Sequence, residues 1–471
     1  MKIKLKKFTE FSKSILPNEA HFLALSNQFK DTEKIGIIEK VLKNALSENN
    51  SIEFDDQIDK RKYNFVMSWI EKKLSTIDVD QTIEWIMLMK KKILTDTISS
   101  SEEMQFLHYI VNYKQVDFNF QNLYELTKEY RAYLLIRMRY KDHEIIAGFL
   151  NHFEGHYAKS KKIQDRLYSA ISEITNQYTS NNNETKYWGK WLFKVFNTQS
   201  IDGRNRYQAF ILLAFMYSNY NENKNLKIIF DKIDTFFSLG EMYSRRLLSN
   251  YYASRVLLHS KENEFKKAEY YAYLSIRQNN DDTLMYLNNL VAVLLRNKKP
   301  KEALQLMNKY SPLFEATHNN HQKIGHISYQ IRTLTELKQY DIALNKAKIF
   351  LKKYGDDILN HRWHHFFTSY FNVLIAMEKY DEILIIAQRF NLSEKEKERE
   401  KKSSYVPNIA WSIALSKYME GTINEKRLLQ EIELPLSGIK PSENQKQLMI
   451  QIIDNLSNNL PDAFLKLKSH L

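Results

Sequence analysis

Residues 287–310 read LNNLVAVLLRNKKPKEALQLMNKY, and this stretch decides the fold. Leu287, Leu290, Val291 and Leu294 fall at i, i+3, i+4 and i+7, one face of an α-helix. Pro300 closes a short turn, and Ala303, Met307 and Tyr310 then mark the buried side of a second helix. Neither helix can bury its apolar face alone, so the stretch reads as one helical hairpin of a larger stack.

Outward from it, the same opening recurs. Phe265-Lys-Lys-Ala268, Pro300-Lys-Glu-Ala303, Tyr340-Asp-Ile-Ala343 and Tyr380-Asp-Glu-Ile383 align at spacings of 35, 40 and 40 residues. Downstream, Ala343, Ala347 and Phe350, then Ile383, Ala387 and Phe390, repeat the columns of Ala303, Met307 and Tyr310. Upstream, Phe367, Tyr370, Phe371 and Leu374 reproduce the face of Leu287–Leu294. A small residue near the start of a second helix permits a close helix crossing, and the aromatic beyond it fills the gap to the next pair. Self-similarity at such a period marks a repeat architecture.

These columns resemble the tetratricopeptide repeat over residues 247–392. Two spacings are 40 rather than that repeat's 34 residues, the first-helix tryptophan and glycine are missing, and Ile383 replaces the small residue. The resemblance implies an all-α helical-hairpin solenoid whose first helices line a concave groove. It places Asn288, Asn289, Ala292 and Arg296, then Ser328, Tyr329 and Arg332, then His365, Thr368 and Asn372 on the groove side. Asparagine can satisfy an extended peptide backbone and arginine can pair a carboxylate. The expected peptide-binding residues are therefore Asn288, Asn289, Arg296, Tyr329, Arg332, His365 and Asn372.

Composition agrees with helices. Only 10 glycines and 7 prolines occur in 471 residues, and no proline lies between Pro17 and Pro300, whereas sheet turns draw on both. The N-terminal third reads as divergent helices without evident self-similarity. Asp80 stands ahead of one, Ser100-Ser101-Glu102-Glu103 has capping-box spacing ahead of another, and helices are expected over Asn122–Arg139, Lys141–Phe153 and Lys161–Tyr178. Polar breaks at Thr179–Thr185 and Asn219–Asn225, and a loop around Gly203, separate the helices of the middle region. The expected organisation is an N-terminal helical region (1–180), a helical connector (186–246), the repeats (247–435) and capping helices (436–471). The charged run Ser393–Lys402 reads as a solvated loop or helix start.

The absence of cysteine removes disulfides, thiolate metal sites and a cysteine nucleophile. Two histidine pairs at helical spacing, His152 with His156 and His361 with His365, lack the third ligand and the glutamate order of a zinc enzyme. No phosphate-binding glycine loop or nucleophile elbow is present. The expectation is a protein without catalytic, metal or cofactor site. Met1–Phe8 is basic, but no apolar run comes after it, and Tyr207–Tyr217 is shorter than the ~20 residues that span a bilayer. A cytoplasmic protein without membrane insertion is expected. The formal charge of +13 is concentrated in residues 151–350, which suits a lysine-rich solvated surface or an anionic partner. The leading expectation is a non-enzymatic scaffold for a protein or peptide ligand. The alternatives are a basic solenoid that binds nucleic acid, and a peptide-sensing regulator, for which no helix-turn-helix is evident before Asn122.

Overall fold

The computed structural model describes residues 5–47, 52–180, 185–220, 222–278, 280–400, 405–436, 441, 443–457 and 461–468. Among these the chain is all-α, with no strand. Packing divides it into two compact units, Met1–Leu258 and His259–Leu471. Of the polar break at Thr179–Thr185, residues 181–184 lie outside the described residues.

The first unit opens with α1 (Lys6–Ser14), α2 (Pro17–Ser26), α3 (Thr32–Leu46) and α4 (Lys60–Ser75). It continues through α5 (Val79–Leu94), α6 (Ser100–Val111), α7 (Phe120–Ile136) and α8 (Tyr140–Ser180). It then runs α9 (Trp188–Asn197), α10 (Gly203–Asn219), α11 (Asn223–Ser238) and α12 (Arg245–Lys261), whose end passes the division between the units. The starting signals are displaced by a residue or two from those expected. Asp78, rather than Asp80, caps α5 by accepting the amides of Asp80 and Gln81. The capping box before α6 is Ser99 with Glu102.

The two helices expected over Lys141–Phe153 and Lys161–Tyr178 are one helix, α8, of 41 residues. A lone glycine costs a helix only about 1 kcal/mol, a Cβ at Gly155 would meet nothing within 4 Å, and no proline intervenes. Buried Phe153 and Ser160 continue the packed face through that region.

Two buried acids fasten the first unit. Glu19, fully enclosed, accepts from the Tyr243 hydroxyl (2.6 Å), Arg245 Nε (2.8 Å) and the Leu16 amide (2.9 Å). Asp202 accepts the Gln121 amide at the start of α7 (2.9 Å) and the Asn205 amide at the start of α10 (3.2 Å). One carboxylate thereby serves two helix N-termini, where negative charge is favoured. Its burial nevertheless pushes the carboxyl up to about 7. The backbone comes so close here that a Cβ on Gly203 would lie 2.8 Å from Phe118 Cα.

The second unit holds α13 (Phe265–Ser275), α14 (Thr283–Arg296), α15 (Pro300–Lys309), the short α16 (Ser311–Ala316), α17 (Asn320–Glu336) and α18 (Tyr340–His361). After these come α19 (Trp363–Ala376), α20 (Tyr380–Arg389), α21 (Leu392–Glu400), α22 (Asn408–Met419), α23 (Glu425–Glu433), α24 (Glu443–Ser457) and α25 (Pro461–Lys468). Phe265, Pro300, Tyr340 and Tyr380, the aligned residues of the sequence, are each the first residue of a helix.

The turn ahead of each is the same. Asn263, Lys298, Lys338 and Glu378, two residues before those starts, all have φ between 56° and 60°. The next amide donates to a carbonyl five residues back: Glu264 to His259, Lys299 to Leu294, Gln339 to Leu334 and Lys379 to Leu374, each at 2.9 Å. This is the Schellman closure of a helix C-terminus, made without glycine. Met138 (φ 57°), with Arg139 donating to Leu134, joins α7 to α8 in the same manner. That hairpin is invisible as a residue repeat.

The spacing of 40 residues has two local causes. The short α16 is inserted after α15, and α18 runs on past a kink at Tyr354 (φ −125°). Both additions come after a second helix. The first helices α14, α17, α19 and α22 pack on one another in order, and α15, α18 and α20 pack against them. Ala303, Ala343, Ala347 and Ile383 are fully buried at the crossings. The core runs on through Trp411, Ile432, Met449 and Phe464 to the last helices.

Candidate functional site

The candidate site is the exposed side of α14, α17 and α19. Arg296 ends α14, Tyr329 and Arg332 lie on the last two turns of α17, and His365 lies on the first turn of α19. Tyr329 and His365 meet edge to face with ring centroids 4.8 Å apart. Arg332 lies near enough to Arg296, and Arg332 and Arg362 near enough to His365, for their positive charge to be felt. Four of the seven expected groove residues therefore come together.

Asn289 is half-buried and Asn372 exposed, on the same helices. Asn288 is placed differently. It is 5% exposed, its Nδ2 donates to the Gln322 carbonyl (3.3 Å), and its Oδ1 faces His326 Nδ1 at 3.0 Å. Its amide joins α14 to α17 and is not free for a ligand. Ser328 is fully buried, its hydroxyl spent on the Ile324 carbonyl (2.6 Å). Periodicity put both on the groove side, because i, i+3, i+4 counting leaves the flank of a helix unassigned when a neighbour packs there.

These residues are unevenly exposed: Arg296 and Arg332 are exposed, Tyr329 and His365 half-buried. Arg296 is exposed to solvent, yet crowding by protein atoms holds its guanidinium below the ordinary arginine range. It lies over the Phe265 ring, 5.4 Å from the centroid. Arg362, at the junction of α18 and α19, lies against the backbone of α17, where a Cβ on Gly325 would come 2.4 Å from its Nη1. Glycine at 325 leaves room for that guanidinium. Burial pushes His365 down to about 3, with Arg362 and Arg332 adding to the shift. Its Nε2 is enclosed with no hydrogen-bond partner, so the ring is neutral at pH 7.

In the charged run, the burial of Glu396 carries no decisive mark in the sequence. Residues 392–400 form α21, the helix rather than the loop of the two readings; most of its charges are exposed, but Glu396 is 3% exposed and faces His364 Nε2 at 3.9 Å. Residues 401 and 402 of the run lie outside the described residues. Neither Glu396 oxygen makes a hydrogen bond of good geometry, nor do Arg399 Nε and the Tyr405 hydroxyl. Burial pushes the Glu396 carboxyl up to about 7, against the pull of Arg399. The signal available was Leu392 with Glu396 at i, i+4, too short a pattern to separate from a solvated helix.

Among the described residues one group of three possible metal ligands comes together, His259, Glu262 and Glu264, with ligating atoms within 4.8 Å. Lys267 already neutralises Glu264 at 2.7 Å. The pairs His152–His156 and His361–His365 form no such group among the described residues. A cleft of about 730 Å³ opens between α18 and α20, where Lys348 is already paired with Glu382 at 2.8 Å. Among the described residues no helix is long and apolar enough to cross a membrane. Comparison with protein-family models, curated proteins and solved structures returns no match.

Proposed function

We propose that this chain is a non-enzymatic binding scaffold that holds a protein or peptide segment along the α14–α17–α19 face, in the manner of a tetratricopeptide-like groove. One observation carries the reading: Arg296, Tyr329, Arg332 and His365, from three successive first helices, come together on one face. The recurrent turn and the ordered packing of first helices support the solenoid part of the proposal. Asn289 on α14 and Asn372 on α19 carry amides that can serve an extended backbone as donor and acceptor.

The test is positional. A photo-crosslinking residue at Asn289 or Asn372 should capture a partner from native extract, and the capture should fall when Arg296 and Arg332 are both changed to Glu. A crosslinker at the exposed Ile349 on α18 should capture nothing comparable. Capture from Ile349 that ignores the arginine changes would remove the reading.

A further inference from the structure

In the first unit, independent of the α14–α17–α19 face, helices α8 and α9 form a basic seam. On α8, Lys159, Lys162, Arg166 and Glu173 fall at i, i+3, i+7 and i+14 and share one stripe of the helix. Helix α9 lies antiparallel beside that stripe. Trp188 Nε1 donates to Glu173 (2.9 Å) at one end, and His156 Nδ1 and Lys159 Nζ meet Ser200, just past the other end of α9, each at 3.0 Å. Between these ends the Arg166 guanidinium lies over both indoles, 4.5 Å from the Trp191 centroid and 5.3 Å from that of Trp188. Lys190 and Lys194 are exposed one turn apart on α9, and Tyr187 ahead of it is 64% exposed, its hydroxyl tied to Glu173. We propose that this seam binds single-stranded nucleic acid. Its phosphates are received by Lys159, Lys162, Arg166, Lys190 and Lys194, and its bases stack on Tyr187 and on the outer face of Arg166.

Elsewhere in the unit cations are spent on acids: Lys62 on Asp31 and Glu33, Arg139 on Glu103 and Asp142, Lys186 on Glu222. The five cations of the seam are not. Among the described residues none of them forms an ion pair, and α9 contains no acid. Lys159 is bound to a hydroxyl. Glu173, the one carboxylate in the stripe, is taken by Tyr187 and Trp188, and Asp165 lies about 100° round the helix from Arg166. From Lys159 to Glu173 the seam is about 20 Å long. Unneutralised cations along such a length focus positive potential, and a phosphate backbone that covers them releases its counterions. Charge alone would serve any polyanion; the planar groups favour one kind. A guanidinium held over an indole keeps its second face for a base, and the Tyr187 ring offers another stacking surface. Only unpaired bases can use both, which points to a single strand rather than a duplex or an acidic peptide.

The experiment follows, by anisotropy, the full chain titrated into fluorescein-labelled oligo-U and oligo-dT dodecamers, a duplex of the same length and dodecaglutamate. At about 50 mM salt a single strand should bind, at least tenfold more tightly than dodecaglutamate. Lys190→Gln/Lys194→Gln, whose melting temperature is checked to be unchanged, should lower that affinity at least tenfold. It should also flatten the slope of log affinity against log salt by about 1.4, from about 0.7 per phosphate contact. Tyr187→Ala should weaken binding severalfold with the slope unchanged, as loss of a stacking contact requires. Arg166→Lys, which keeps the charge and loses the plane, should give an intermediate loss. Lys352→Gln/Lys353→Gln, an exposed pair on α18, should change nothing. Preference for oligo-U or for oligo-dT supports the seam either way and assigns its sugar. Dodecaglutamate bound as tightly as the strands overturns the proposal in favour of an acidic protein. Duplex bound as tightly, with indifference to Tyr187→Ala, overturns the single-strand assignment. Binding of neither strand, or binding undiminished in the α9 lysine variant, overturns the site.

Discussion

Lys338 holds a left-handed backbone angle of 60° with an ordinary side chain, a conformation that costs an L-residue where glycine has no penalty. Lys338→Gly and Glu378→Gly should each stabilise the protein by about 0.5–1 kcal/mol, read as a higher urea midpoint with unchanged slope. Lys338→Val should move it the other way. His326 makes a different case. It is 3% exposed, and burial pushes its pKa from 6.5 down to about 4. Between those values the unfolded chain binds a proton that the folded one refuses. This group's contribution is therefore complete above pH 6.5 and is lost as pH falls toward 4, by roughly 3 kcal/mol. Stability of His326→Gln against pH should lack that acid loss; an identical acid limb in the variant would refute the assignment. Both residues lie in a sequence that can be read for helices but says nothing of φ or of which histidine is enclosed.

At the scale of elements, α21 shows how a charged segment is drawn into a core. Leu392 is fully buried, and Glu396 comes one turn later with no well-formed hydrogen bond to either oxygen. Its pKa is raised from 4.5 to about 7, so the sign is opposite to that of His326. The folded chain keeps the proton longer, and this contribution is present below pH 4.5 and lost as pH rises to 7, again by roughly 3 kcal/mol. Glu396→Gln should be more stable than the parent at pH 8, with the difference vanishing near pH 4.5. Chemical denaturation at the two pH values decides it, and a less stable variant at pH 8 would mean that the carboxylate is satisfied after all. Helix existence was legible in this region, from apolar periodicity in α14 and α19. Helix length was less so. Nothing in Lys141–Ser180 marks α8 as continuous, because one glycine in a good helical sequence neither requires nor forbids a break. Asn288 was legible as polar but not as spent, since its partners Gln322 and His326 belong to the next helix pair.

For the molecule as a whole, the all-α class came from scarce glycine and proline, and the four second-helix starts from the aligned columns at Phe265, Pro300, Tyr340 and Tyr380. The turn that unites them did not, because its recurring property is a torsion angle carried by Asn, Lys, Lys and Glu in turn. Its copy at Met138 escaped for the same reason. That turn has a consequence for how such a chain can change length. An α-helix advances about 100° per residue, so one residue inserted between Asn297 and Lys299 would rotate Ala303 and Met307 out of the core and turn Lys301 or Glu302 inward. The same insertion between Thr317 and Asn319, in the coil before α17, can be taken up without turning either helix. A thermal melt of the two insertants should show a large loss for the first and almost none for the second. Growth and shrinkage of the chain thus have one permissive address per hairpin, and the inserted α16 and the extension of α18 already occupy it.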